Sequence, residues 1–186
     1  MAACHSRAVA LTIVVGALLL VSTIAFAQTP PPKAADGVPT TKQWNQTIGD
    51  WIVACSQDAE QRKTCALTQT LSNARTKQTV AIWSIGKGEC DKVNVTLRGP
   101  LGVALAAGAH ITVDAEKPFS VPYRTCISIG CVTIFEVTAP LLGQLRKASK
   151  VNVTFQGIRG SPLVVDFQMR GFPKAYDVYL QETAAK

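Results

Sequence analysis

The chain has 186 residues, 47% of them apolar and 17% charged, and carries a net charge of +7. That balance excludes a disordered chain, which needs low hydrophobicity and high charge, and the length suits one domain or a small pair. Aromatic residues make up only 6%, so a core must rest on Val, Ile, Leu and Ala.

The N-terminus, with Arg7 as its cation, leads into an apolar run from Ala8 to Val21 and closes on Ala25-Phe26-Ala27 before Gln28. A positive start, an apolar middle and small residues at the end describe a secretory signal peptide over residues 1–27. The alternative is an uncleaved anchor, because Ala8 to Ala27 is just long enough to cross a bilayer. Cys4 precedes the run and leaves with the signal. Residues 28–47, with Pro30-Pro31-Pro32 near their start, read as a Pro-rich flexible tether. The folded domain is expected over 48–186.

Within that domain, apolar and polar residues alternate in Val93–Arg98, Val151–Gln156 and Leu163–Met169. Such a period of two marks half-buried strands of an antiparallel sheet. Trp51–Cys55, Cys65–Leu71, Val80–Ile85, Val103–Leu105, Ile111–Asp114, Phe119–Cys126 and Cys131–Thr138 are further strand candidates. Gly and Pro turn signals separate them. Short strands at this spacing indicate a mainly β sandwich or barrel. Two short helices interrupt the pattern. Thr138-Ala139-Pro140 opens the first as cap and early proline, with Leu141, Leu142 and Leu145 turned inward and Arg146, Lys147 and Lys150 near its negative end. The second starts near Pro173, with Phe172, Ala175, Tyr176, Tyr179 and Leu180 as its apolar stripe. Lys92–Gly99 also echoes Lys150–Gly157, either by duplication or because two strands face the same inside–outside demand.

Cysteine is the strongest chemical signal. In an oxidising compartment thiols pair. Cys55 ends one predicted strand and Cys65 starts the next; Cys126 and Cys131 flank a short turn. Disulfides Cys55–Cys65 and Cys126–Cys131 would staple these hairpins, each contributing about 2–3 kcal/mol. Zinc is the rival, but it wants close Cys/His pairs and four ligands, and His110 is the one histidine after the signal. Cys90, between Glu89 and Asp91, is left over: a buried thiol, an interchain link or a substitute partner in either pair.

No catalytic constellation stands out. There is no Gly-x-Ser-x-Gly elbow, no metal-loop spacing and no phosphate loop. His110 lies at a predicted turn with Asp114 four residues on, and it reads as a surface residue rather than part of a Ser-His-Asp triad. Asn45, Asn94 and Asn152 begin glycosylation triplets, which matter only in a eukaryotic secretory pathway. Basic residues are scattered, without aromatic platforms beside them, which argues against nucleic acid. A solvated basic surface, or contact with anionic lipid or polysaccharide, remains.

The ordered set of short segments resembles a known family. Gly49-Asp50-Trp51-Ile52-Val53-Ala54-Cys55, Cys65-Ala66-Leu67-Thr68-Gln69, Pro100–Leu105 with Gly108 and Asp114, Cys126-Ile127-Ser128-Ile129-Gly130-Cys131, and Gly171-Phe172 with Ala175 are similar to the pattern of invasion-associated locus B proteins. The resemblance spans about Ile48 to Glu182; Cys90 is no part of it. It implies an immunoglobulin-like antiparallel β-sandwich and export to the periplasm or outer membrane of a bacterium, and it carries over no catalytic residues. The expectation is a non-enzymatic envelope protein without cofactor or metal. It would bind an envelope or host-surface protein or polymer, and touch a membrane only peripherally or through an uncleaved signal. The alternative is a periplasmic binding module for a small or anionic ligand, using loops near His110, Lys117 or Arg124.

Overall fold

The structure, a computed structural model, describes residues 41–88 and 92–184. The signal segment, most of the tether and Cys90 lie outside the described residues. In chain order the strands are β1 (Lys42–Ile48), β2 (Trp51–Gln57), β3 (Lys63–Ser72), β4 (Thr79–Lys87), β5 (Val93–Gly99), β6 (Ala109–Val113), β7 (Phe119–Val121), β8 (Tyr123–Ile127) and β9 (Gly130–Glu136). Helix α1 (Ala139–Leu145), β10 (Lys150–Gln156), β11 (Pro162–Gln168) and α2 (Phe172–Ala184) complete the order.

All pairings are antiparallel. One sheet has the strand order β1-β2-β3-β4-β5-β9-β8 and the other β11-β10-β6-β7. The alternation seen in the sequence turns Trp51, Val53, Leu67, Trp83, Ile85, Val95 and Leu97 inward from the large sheet, and Ile111, Val151, Val153, Phe155 and Phe167 inward from the small one. Together they form one core, as an antiparallel sandwich requires. The echoed segments become β5 and β10, internal strands of opposite sheets. Both therefore meet the same inside–outside demand.

The small sheet is too narrow to cover the large one. Helix α2 covers the remainder, packing on β1, β2 and β3 with Trp51 edge-on to Phe172 at 5.1 Å between ring centres. Burial of Tyr179 in this layer pushes its hydroxyl up to about 12.

Several sequence expectations are corrected. The tether does not reach residue 47: Lys42 to Ile48 pair with β2 along their full length, because Trp44 packs against the core edge. Val103–Leu105 is not a strand. Val103 makes an isolated bridge to Gly157, and the Ala-rich stretch after it closes into a 3-10 turn, Leu105–Ala107. Phe119–Cys126 is two strands in different sheets. Pro122 has no N–H for a ladder, and the chain changes sheets there. Leu180 is 41% exposed, since the buried face of α2 centres on Phe172, Ala175 and Tyr179 and leaves Leu180 at its rim. Of the α1 leucines, Leu145 is buried while Leu141 and Leu142 are half-buried.

The sheets are joined by a buried side-chain amide. Gln69 of β3, 4% exposed, donates to the Gln168 carbonyl (2.7 Å) and accepts from the Gln168 N–H (2.9 Å). It donates also to the Asp50 carbonyl (3.2 Å). Trp51 Nε1 gives the Gln168 carbonyl a second donor at 3.1 Å. Beside this seam the chain passes so close to itself that a methyl on Gly49, where φ is +62°, would lie 2.2 Å from the Arg170 carbonyl oxygen. Replacing Gln69 by Leu strands the Gln168 N–H and leaves its carbonyl with Trp51 alone. The expected cost is about 2 kcal/mol, read as a lower urea midpoint at unchanged m-value.

Candidate functional site

The four cysteines singled out in the sequence form two cross-strand disulfides. Cys55 and Cys65 are directly opposite in β2 and β3, with S–S 2.07 Å. Cys126 and Cys131 are opposite in β8 and β9, with S–S 2.01 Å. Cys55, Cys65 and Glu182 make the one His/Cys/carboxylate cluster among the described residues that could hold a metal. Its sulfurs are bonded to each other, so it offers no thiolates, and Glu182 pairs with Lys63.

His110 lies within β6, not at a turn. Its neighbours Ala109 and Ile111 are buried, so its ring faces outward, with Nδ1 2.7 Å from Ser120 Oγ of β7. Asp114 does not complete a triad. Its carboxylate accepts from the backbone N–H of Ser149 (2.9 Å) and of Lys150 (2.9 Å). The Ser149 N–H first, then that of Lys150, holds this carboxyl below the usual aspartate value. It works as a clamp between the β6–β7 turn and the start of β10.

Arg124 of β8 lies on the outer face of the large sheet. It lines a cavity of about 280 Å³ with Ser84, Thr96 and Asn94. His110 is on the outer face of the small sheet, and Lys117 on the β6–β7 turn, so the three basic groups proposed for an anionic ligand are not brought together.

The switch at Pro122 creates a different feature. Where β7 leaves one sheet and β8 joins the other, the sandwich opens beside α1 into an apolar groove of about 510 Å³. Phe119, Val121, Pro122, Ile134, Phe135 and Leu141 line it. Its floor is tied to the core by an aromatic chain: Phe119 to Phe135 at 5.8 Å, Phe135 to Trp83 at 5.7 Å and Trp83 to Phe167 at 5.5 Å. These offset contacts fix the rings. Thr138 Oγ1 caps α1 by accepting from Leu141 N–H at 3.4 Å, and this sets the helical wall. The groove is not visible in the sequence because its walls come from two stretches, 119–122 and 134–144, that meet only once the chain has changed sheets. The available signal was Pro122 inside an apparent strand, which marks a break.

Such a fold defines a disulfide-stapled β-sandwich of the kind built for oxidising compartments, with an apolar groove at its open edge. The particular family follows from direct comparison. Residues 51–179 match the family described as Invasion associated locus B (IalB) protein, and the chain belongs to that family. An invasion protein B homolog of Brucella abortus (strain 2308) is 30% identical over 133 residues, which cover 71% of this chain and 76% of the relative. A homolog from Brucella abortus biovar 1 (strain 9-941) matches to the same extent. The crystal structure of invasion associated protein B from Bartonella henselae superposes with a TM-score of 0.64 at 22% identity, covering 74% of this chain and 95% of that one. It shares the fold.

Replacing both Cys55 and Cys65 by Ala is expected to lower stability by about 3 kcal/mol, measured by urea unfolding of the oxidised protein. Asp114 predicts a pH effect of definite sign. A carboxyl whose folded value is lowered stabilises fully above its unfolded value, 3.8, and that contribution vanishes as pH falls through the folded value. Between about pH 5 and pH 3 the urea midpoint of wild type should fall further than that of Asp114→Asn.

Proposed function

We propose that the protein is exported and acts in the cell envelope as a non-catalytic binding module that engages an envelope or host-surface protein through the groove beside α1. The groove carries this reading. An open apolar trough with fixed aromatic walls suits one or two aliphatic or aromatic side chains of a partner, which is how interface anchors bind. Two further observations support it. The disulfides suit a compartment outside the cytosol, and the relatives are named as invasion proteins, which points to a role at the cell surface. Ser120 and Asp114, the groups that would complete a triad with His110, serve instead as a cross-strand partner and a backbone clamp.

A second reading is favoured by the cavity at Arg124. A guanidinium beside the hydroxyls of Ser84 and Thr96 and the amide of Asn94 would suit a small anionic ligand, through charge-assisted hydrogen bonds.

A photo-crosslinking side chain at Pro122 or Leu141, introduced in living cells, separates these readings. A covalent protein adduct from either position, and none from a probe at Val164 on the far edge strand, is the expected outcome. Absence of adducts from both groove positions rejects the groove. A melting-temperature rise with phosphorylated or sulfated sugars that Arg124→Ala abolishes would favour the second reading.

A further inference from the structure

Opposite the Cys55–Cys65 end, the sandwich presents a second unusual surface. Five large aliphatic side chains stand out from loops there: Leu101 (55% exposed), Leu105 (58%), Ile127 (47%), Ile129 (63%) and Ile158 (71%). Backbone contacts gather them. Ile158 N–H donates to the Gly102 carbonyl at 3.0 Å, and Ala104 N–H to that of Gln156 at 2.7 Å. Val103 bridges Gly157. The turn carrying Ile127 and Ile129 is closed by the Cys126–Cys131 disulfide. It is pressed on the end of β5 so tightly that a methyl on Gly130 would lie 2.2 Å from the Gly99 carbonyl oxygen. These residues therefore sit on braced loops, and burying none of them is a standing cost in water.

The charge on the three segments that carry these tips has one sign. Residues 98–105, 127–131 and 156–163, which carry them, contain Arg98 and Arg159 and no Asp or Glu. Among the described residues neither of these two cations pairs with a carboxylate. Carboxylates gather elsewhere: Asp58, Glu60, Glu136 and Glu182 lie at the opposite end, each paired with Arg62, Lys92 or Lys63.

We infer that this end docks on the surface of an anionic phospholipid bilayer. The aliphatic tips enter the headgroup boundary, and Arg98 and Arg159 meet the phosphates. Aliphatic tips beside unpaired cations match what an interface with anionic lipid rewards, apolar area plus positive charge. A polysaccharide would call for aromatic platforms, and none of the five tips is aromatic. None of the five tips lines the groove beside α1.

The test uses the full chain as recovered from its own cells, wild type beside the double variant Ile129→Asp, Ile158→Asp. Any contribution of the N-terminal apolar segment is then common to both. Both positions are exposed, so an unchanged melting temperature establishes that the variant is folded. Sedimentation is measured with vesicles of mixed phosphatidylglycerol and phosphatidylcholine, and with phosphatidylcholine alone. Wild type should sediment with the anionic vesicles, less so as salt screens the charges, and the variant at least about tenfold more weakly. Equal sedimentation of the two proteins, including none by either, overturns the inference. So does wild-type binding to neutral vesicles as strong as to anionic ones, or retention by envelope proteins alone.

Discussion

The contact of Gln69 with Gln168 is the constraint on which the two layers depend. β11 is an edge strand, and its last residue turns both backbone groups away from β10. An edge left so would expose an N–H and a C=O to water or to another chain. Gln69 supplies an amide in the place a neighbouring strand would supply a peptide, one donor and one acceptor at 2.7 and 2.9 Å. The small sheet is thereby registered on the large one through a buried polar pair rather than through apolar packing, which is indifferent to sliding. Trp51 and Asp50 complete the seam, and the turn at Gly171 then places α2 on the uncovered strands.

With that register set, the remaining geometry follows from unequal width. Seven strands face four. Helix α2 fills the gap on one side. On the other, the chain crosses between sheets at Pro122, and α1 stands beside the crossing without closing it. The groove is what remains open. A sandwich with equal sheets would have sealed Phe119 and Phe135 inside. Here they form a floor that is rigid from below and accessible from above.

The two disulfides divide the labour of holding the large sheet. Cys55–Cys65 is buried beneath the end of α2, where Lys63, Glu182 and Trp44 surround it; Lys63 pairs with Glu182 and lies 5.1 Å above the Trp44 ring. Cys126–Cys131 is at the other end, on the outermost strand, with Cys131 buried and Cys126 exposed. It braces a turn that packing alone would leave loose. One bridge secures the core layer, and the other holds exposed side chains in a fixed place.

Much of the layer structure was legible in the chain. Period-two alternation is a local property, and it marked the strands from Trp51 to Gln168 together with their inward faces. Thr138 and Pro140 announced the start of α1, and cysteines at the facing ends of adjacent strands announced the hairpins. The errors also have local causes. Trp44 looked like tether because one aromatic among polar residues shows no period, and Pro122 was read through because its flanks are both β-like. What sequence could not decide is which strand lies beside which, and what stands across from it. The pairing of Gln69 with Gln168 joins residues 99 apart, the groove joins residues 119–122 to 134–144, and the aliphatic end is assembled from several distant segments. Side-chain periodicity records whether a residue points in or out; only the closing of the two sheets on each other sets what it meets there.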